Sequence, residues 1–471
     1  MQRKSITIVG GGFSGSMLAL QLARLPNQEL FACDVHLVEP RPVPGPGLAY
    51  TARRPEYLLN VRSKSLSAFP DQPDHFVNWL RVTQSDECEN GFCSRQSYGR
   101  YLQQLISQVL EWPSSNGIRC KWHNMTAQAV TVAPDGQSAR VKLSSGTEIH
   151  SDYVVLALGN FPPLPPTGPD LRYLQHPAYH GNPWARGALR DIGADDTVLL
   201  IGTGLTAIDV LLGLQADGHR GQITVVSGHG RWPLAHQRQP DSYPSFYATE
   251  LAGQRRVGDV LNIVRRHVRE AQHQGIGWQA VIDSLRPDLG RIWAAWPPVE
   301  QARFLRHLAG IWSVVRHRSP PQNANALQQM LDTGLVRMEK GRVRAIAAEP
   351  QELVVTVRNE TQQPARPLRA QHVINCTGPL LDYSRIDAPL VTGLREAGYL
   401  VPDALRLGIV TDEHGALYNT QGQASAVLFT LGPSRRPAYF ESTAVPELRS
   451  QATELAQELG HRLLRPVGKE G

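Results

Sequence analysis

The stretch Ser5-Ile6-Thr7-Ile8-Val9-Gly10-Gly11-Gly12-Phe13-Ser14-Gly15-Ser16 decides how the rest of the chain is read. An apolar run of strand length meets glycines at Gly10, Gly12 and Gly15, then passes into an apolar-periodic segment from Met17 to Ala23. That pattern predicts strand, tight turn and helix. Gly10 permits the turn, Gly12 lets a pyrophosphate approach the backbone, and Gly15 lets the helix pack close to the strand. The free N–H groups at the helix start then face an anion, so Gly10, Gly12, Phe13, Ser14 and Gly15 form the candidate phosphate-binding set. The next predicted strand, Asp34 to Val38, ends at Glu39, whose carboxylate can accept hydrogen bonds from an adenosine ribose. Strand, helix and acid together predict a dinucleotide site.

Beyond Glu39, Arg41-Pro42-Val43-Pro44-Gly45-Pro46-Gly47-Leu48-Ala49-Tyr50 is too rich in proline and glycine for helix or strand. It predicts a loop beside the cofactor, with Gly47 as a contact.

The same plan returns near residue 200. Thr197-Val198-Leu199-Leu200-Ile201-Gly202-Thr203-Gly204-Leu205-Thr206-Ala207-Ile208-Asp209 has the glycines at Gly202 and Gly204 and a small residue, Ala207, at the third position. Leu205 and Thr206 open its helix. The strand that follows, Gln222 to Val226, ends at Ser227 rather than at an acid, and Ser227-Gly228-His229-Gly230-Arg231 comes next. An acid there favours a free ribose hydroxyl; Ser227 with Arg231 favours a 2′-phosphate, hence NADP over NAD. Two fingerprints in one chain imply two dinucleotides, one as bound flavin and one as hydride donor.

The 471 residues suffice for two or three cores. The net charge of +6 is scattered, with no basic block carrying interleaved aromatics, so no nucleic-acid partner is expected. No run of eighteen apolar residues exists, so no membrane span is expected, and the glycine-interrupted N-terminus does not read as a signal peptide. The 5 cysteines (Cys33, Cys88, Cys93, Cys120, Cys376) are spread without a CxxC pair, which suits a reducing cytoplasm; Cys88 and Cys93 read as loop thiols. No metal-ligand spacing stands out.

Lys121 to Tyr153 alternates apolar and polar residues, with turns at Pro134-Asp135-Gly136 and Gly146, and predicts a small antiparallel meander. Residues 242–330 lack alternation and predict helices over Val257–Ala271, Gly277–Leu285 and Val299–Leu308, punctuated by Trp278, Trp293, Trp296 and Trp312. Such an insertion can shape a substrate pocket or a lid, or be ordinary helical core. Arg316-His317-Arg318 closes it as a cationic cluster fit for an acidic substrate, the NADP phosphate or surface ion pairs.

Asn60, followed by Phe69-Pro70-Asp71-Gln72-Pro73 and then a Tyr- and Leu-rich helix from Tyr98 to Leu110, resembles the flavin-containing monooxygenases and their N-hydroxylating relatives. The resemblance implies that Asn60 sits beside the flavin ring, holding NADP and the oxygenated flavin, and that Lys64 lies near flavin and substrate. With Gly47-Leu48-Ala49-Tyr50, Leu59-Asn60-Val61 and the C-terminal stretch, the chain as a whole is similar to a group of bacterial FAD/NAD(P)-binding oxidoreductases. The strand ending at Gly378, the last strand ending at Gly432, and Thr443 and Ala444 at the start of the final helix are then the remaining flavin contacts that this resemblance implies. Pro446 fits the first turn of that helix.

The expected architecture is α/β: two Rossmann-like dinucleotide-binding domains, with FAD on 1–165 and 350–471 and NADP on 190–349, the latter carrying the helical insertion. The expected activity is FAD-dependent oxidation using NADPH and molecular oxygen, a monooxygenase acting on a small amine or amino acid. A flavin-dependent dehydrogenase or reductase, and a non-catalytic FAD protein, are the alternatives. Neither substrate nor oligomeric state is legible.

Overall fold

The computed structural model describes residues 3–26, 32–51, 54–83, 91–111, 117–166, 168–359 and 362–464. Cys88 lies outside them; Cys33, Cys120 and Cys376 are free thiols, and Cys93 is buried.

The opening apolar run forms strand Lys4–Val9, with Ile6 and Ile8 fully buried. It lies inside a 6-stranded sheet in the order Ala416–Tyr418, Ala424–Thr430, Tyr153–Leu156, Lys4–Val9, Cys33–Val38, Ile118–His123. All neighbours run parallel except the edge pair Ala416–Tyr418 with Ala424–Thr430. A parallel sheet has to be covered on both faces, because its strands are apolar on both sides. Helix Phe13–Leu22, buried at every position, packs on one face between helix Arg95–Glu111 and the C-terminal helix Val445–Leu464. The other face carries the antiparallel meander Ala127–Val132, Ala139–Leu143, Glu148–Ser151 and helix Pro389–Glu396. The meander begins later than the alternation suggested: Ile118–His123 pairs in parallel with Cys33–Val38 and belongs to the large sheet.

The second sheet has 5 strands in the order Val336–Lys340, Ile223–Ser227, Val198–Ile201, His372–Asn375, Tyr179–His180, all parallel. Helices Leu205–Ala216 and Pro321–Asp332 cover one face. The antiparallel strands Arg342–Ala348, Leu353–Asn359 and Gln362–Ala370 cover the other. The expectation that everything after 350 belongs to the first domain does not hold: His372–Asn375 hydrogen-bonds to Val198–Ile201, and Leu353 and Val355 pack under the second sheet. A short buried strand is apolar whichever sheet it joins, so its pattern does not say where it pairs.

Helices Val257–His273, Trp278–Ser284, Leu289–Ala295, Pro298–His307 and Ala309–Arg316 build a separate core around Val281, Trp293, Trp296 and Phe304. Leu407 and Phe440, from the C-terminal part of the chain, complete it. Among the described residues no helix is long and apolar enough to cross a membrane.

Candidate functional site

A parallel sheet opens a crevice where its strand order reverses, beyond the carboxyl ends of the strands. In the first sheet that point lies between Lys4–Val9 and Tyr153–Leu156; in the second it lies between Val198–Ile201 and His372–Asn375. One cleft joins the two. Gly10, Gly12, Phe13, Ser14, Glu39, Gly47, Thr443 and the Ala157–Pro163 segment line it from the first unit, and Thr206 and Gly378 line it from the second.

The glycine turn is obligatory. Gly10 has φ +105°, and a Cβ there would run into the carbonyl oxygen of Ala157. Helix Phe13–Leu22 starts from Gly12 with no side-chain cap and no acid in its first turn. Helix Leu205–Ala216 starts from Gly204 in the same way. Uncapped N-terminal N–H groups at the wall of a cleft are what an anion requires.

Glu39 is 2% exposed and held in orientation. The Gly11 N–H donates to Oε2 at 2.9 Å and the Arg41 N–H to Oε1 at 3.0 Å, with the Arg41 guanidinium at 3.2 Å. Arg41 also lines the cleft and was not singled out from sequence; a cation two residues beyond the acid was the available signal. The Gly47 loop lies on the glycine turn, its Cα 3.3 Å from where a Gly12 Cβ would stand. Gly432 sits behind Ser14, donating its N–H to Gln451 Oε1 at 3.0 Å and accepting from Ser442 Oγ. Ala444 precedes helix Val445–Leu464 and accepts the Leu448 N–H.

In the second unit Gly202 has φ +109°, repeating the turn of Gly10. Ser227 Oγ accepts from Thr203 Oγ1 at 3.1 Å and from the Gly230 N–H at 3.3 Å, and Arg231 is exposed beside them. Two further cations converge here. Lys340 is the register partner of Ser227, and the Arg342 side chain lies 3.6 Å from where a Gly228 Cβ would stand. Both come from far along the chain, and only strand pairing reveals them.

Asn60 and Lys64 do not line the cleft. Lys64 is exposed on the short turn Ser63–Ser65. The Asn60 carbonyl accepts a hydrogen bond from His236 Nε2 at 3.0 Å, across the seam to the second unit. Burial, and then Arg318, push the His236 ring down to about 3, so it is neutral and donates through Nε2–H.

Arg95 was also missed. It lines the cleft, bonds Asp209 Oδ2 on helix Leu205–Ala216 at 3.2 Å and lies 5.7 Å from the Trp184 ring. Burial pushes the Asp209 carboxyl up to about 6, against the pull of Arg95. The cluster Arg316-His317-Arg318 is turned inward. Arg286 and Arg316 share Glu447, at 2.7 and 3.5 Å; Arg318 meets Asp283 and Gln279; His317 lies 3.6 Å from Glu441. Among the described residues no group of three His, Cys, Asp or Glu side chains is placed to hold a metal.

A family profile described as FAD-NAD(P)-binding matches residues 7–161, the first unit up to the start of its connector. No curated protein matches the chain. Among solved structures it is similar to the ornithine N-hydroxylase of Kutzneria sp. 744, with 15% identity, a TM-score of 0.65, and coverage of 98% of this chain and 100% of that one. It is similar to the ornithine hydroxylase of Pseudomonas aeruginosa in its reduced form, with 15% identity, a TM-score of 0.67 and coverage of 99% and 100%. It is similar to the L-lysine 6-monooxygenase of Pseudomonas syringae, with 16% identity, a TM-score of 0.65 and coverage of 98% and 100%. The chain therefore has, over nearly its whole length, the two-dinucleotide fold of flavin-dependent N-hydroxylating enzymes.

Proposed function

We propose that this chain is an FAD-dependent, NADPH-using oxidoreductase, a monooxygenase that acts on a small amine. One observation carries the reading: two uncapped glycine turns stand at the switch points of their own parallel sheets, and one cleft is lined by the first turn and by Thr206, in the opening turn of the second helix.

The residues fit the two cofactors. The start of helix Phe13–Leu22 would hold the FAD pyrophosphate, and Glu39, oriented by Gly11 and Arg41, would accept from its ribose. The start of helix Leu205–Ala216 would hold the NADPH pyrophosphate. Ser227, Arg231, Lys340 and Arg342 would hold the 2′-phosphate, for which a cation-lined, acid-free strand end is suited. Thr443 and Ala444 would meet the flavin at the start of the last helix, where the dipole favours negative charge. Bound flavin would supply hydride acceptance from NADPH and activation of oxygen. The chain's share is to bind both cofactors, exclude water and keep the amine unprotonated at the point of attack. We assign Asn60 a positioning role at the seam, held through its carbonyl by His236; Lys64, exposed nearby, is the weaker candidate. The solved relatives are named for ornithine and lysine as substrates, which supports an amine.

The test is anaerobic mixing with NADPH, then oxygen, with the flavin spectrum recorded throughout. NADPH should bleach the flavin. Oxygen should then yield a species distinct from both reduced and oxidised flavin, and turnover should rise with substrate. A flavin that NADPH never bleaches overturns the reading. One that reoxidises only with a quinone or protein acceptor makes the chain a reductase instead.

A further inference from the structure

The helical insertion carries a second, half-open cavity, bounded by Val264, Trp296, Phe304, Ile311, Trp312 and Phe440 among other apolar side chains. Among the described residues no charged side chain lines it. The indole N–H of Trp293 donates to the Pro437 carbonyl at 2.8 Å, and that of Trp312 donates to Glu441 Oε1 at 2.8 Å. Of these three indoles, that of Trp296 is buried without a partner among the described residues. One donor cannot solvate a carboxylate, which needs several, nor an ammonium, which needs acceptors. Placing either group here would cost several kcal/mol. The walls therefore select hydrocarbon.

The cavity and the cleft share no lining residue, and a short piece of chain separates them. Phe440 forms one wall, and Thr443, three residues on, lines the dinucleotide cleft; three residues span at most about 10 Å. Phe440 holds φ +58°, which is unfavourable for a phenylalanine. Its ring stacks on Trp293 at 4.8 Å and meets Phe304 edge-on at 5.1 Å. The surrounding packing thus fixes the wall despite backbone strain, as at ligand clamps.

Resting on the monooxygenase reading above, we propose that this cavity receives the hydrocarbon body of the substrate, which is an alkyl or arylalkyl amine. A diamine or a basic amino acid carries charge at both ends and is excluded. The occupant is a small molecule rather than a second copy of the chain, because the short separation of Phe440 from Thr443 puts cavity and cleft within reach of one medium-length chain. Ile311, 45% exposed, stands at its rim.

The test titrates the flavin-loaded full chain with butylamine, hexylamine and octylamine, and with cadaverine and ornithine. Tryptophan fluorescence is the readout, since Trp293, Trp296 and Trp312 line the cavity. Affinity should rise about fourfold per added methylene, the worth of one buried CH₂ at about 0.8 kcal/mol, and cadaverine and ornithine should give no response. Val264→Phe, which fills the cavity, should weaken octylamine at least tenfold. Ile311→Gln, at the exposed rim where folding is not at risk, should weaken it severalfold with an unchanged thermal midpoint. Affinity independent of chain length, an equal response to ornithine, or octylamine binding untouched by both substitutions overturns the proposal. So does a dimer that Ile311→Gln dissociates. Binding depends on no turnover: methylene-dependent binding without NADPH oxidation would keep the cavity assignment and defeat the monooxygenase reading alone.

Discussion

The two nucleotide units use one plan with different tolerances. In the first, every residue of helix Phe13–Leu22 is buried, a Cβ on Gly12 would stand 3.3 Å from the Gly47 backbone, and the acid at the strand end is 2% exposed. In the second, a Cβ on Gly204 would meet nothing within 4 Å, the third glycine is replaced by Ala207, and the strand end carries exposed Arg231. Loops and the C-terminal helix close over the first turn, and the second is left open to solvent. A closed turn suits a ligand that stays; an open one suits a ligand that exchanges every turnover. On the proposed reading these are flavin and NADPH.

The sharpest way to break this comparison is to give the first turn, at Gly15, the methyl group that the second already carries at Ala207. Gly15→Ala would force a Cβ into the Gly10 carbonyl oxygen and to 3.0 Å from Ile8 Cγ2, with no room to retreat. It should cost about 4 kcal/mol or more, and any protein recovered should be colourless; flavin absorbance and thermal unfolding decide it. A yellow, stable G15A would mean the first turn is no tighter than the second.

The next largest effect is at a contact between the units, the Arg95–Asp209 pair. Burial raises Asp209 from 3.8 to about 6 even with Arg95 bonded to it. The folded chain therefore holds that proton more tightly than the unfolded chain. The contribution is complete below the unfolded value near 3.8 and is lost as pH rises through about 6, by roughly 3 kcal/mol. Asp209→Asn should remove this slope between pH 4 and 6 in a series of urea unfolding curves. An unaltered slope would show that Asp209 is ionised throughout.

Smaller still, and confined to the open unit, Arg342→Ala should raise the KM for NADPH about tenfold, near 1.4 kcal/mol, and leave that for NADH alone. Equal losses with both coenzymes would place Arg342 away from the 2′-phosphate. Gly204→Ala should be the mildest: with open space and φ −75°, stability should change by less than about 0.5 kcal/mol. A collapse like that of G15A would erase the distinction between the turns.

Much of this was legible in the chain because the deciding signals are local. Ser5 to Ser16 and Thr197 to Asp209 each pack strand, turn and helix into a dozen residues, and glycine is the only residue that meets the backbone demands at Gly10 and Gly202. Periodicity alone was enough to expect helices in the insertion. The fold class, the two cradles and Glu39 at a strand end were therefore set by short-range sequence. Strand pairing was not, because a buried strand is apolar in any sheet, and the pattern of His372–Asn375 does not say that it pairs with Val198–Ile201. The Lys340 and Arg342 contribution to the second strand end, the Arg95–Asp209 bond between units and the Phe440 wall of the apolar cavity are tertiary decisions. Each joins residues distant in sequence whose types are ordinary where they stand, and only the packing of sheets and helices gives them a common address.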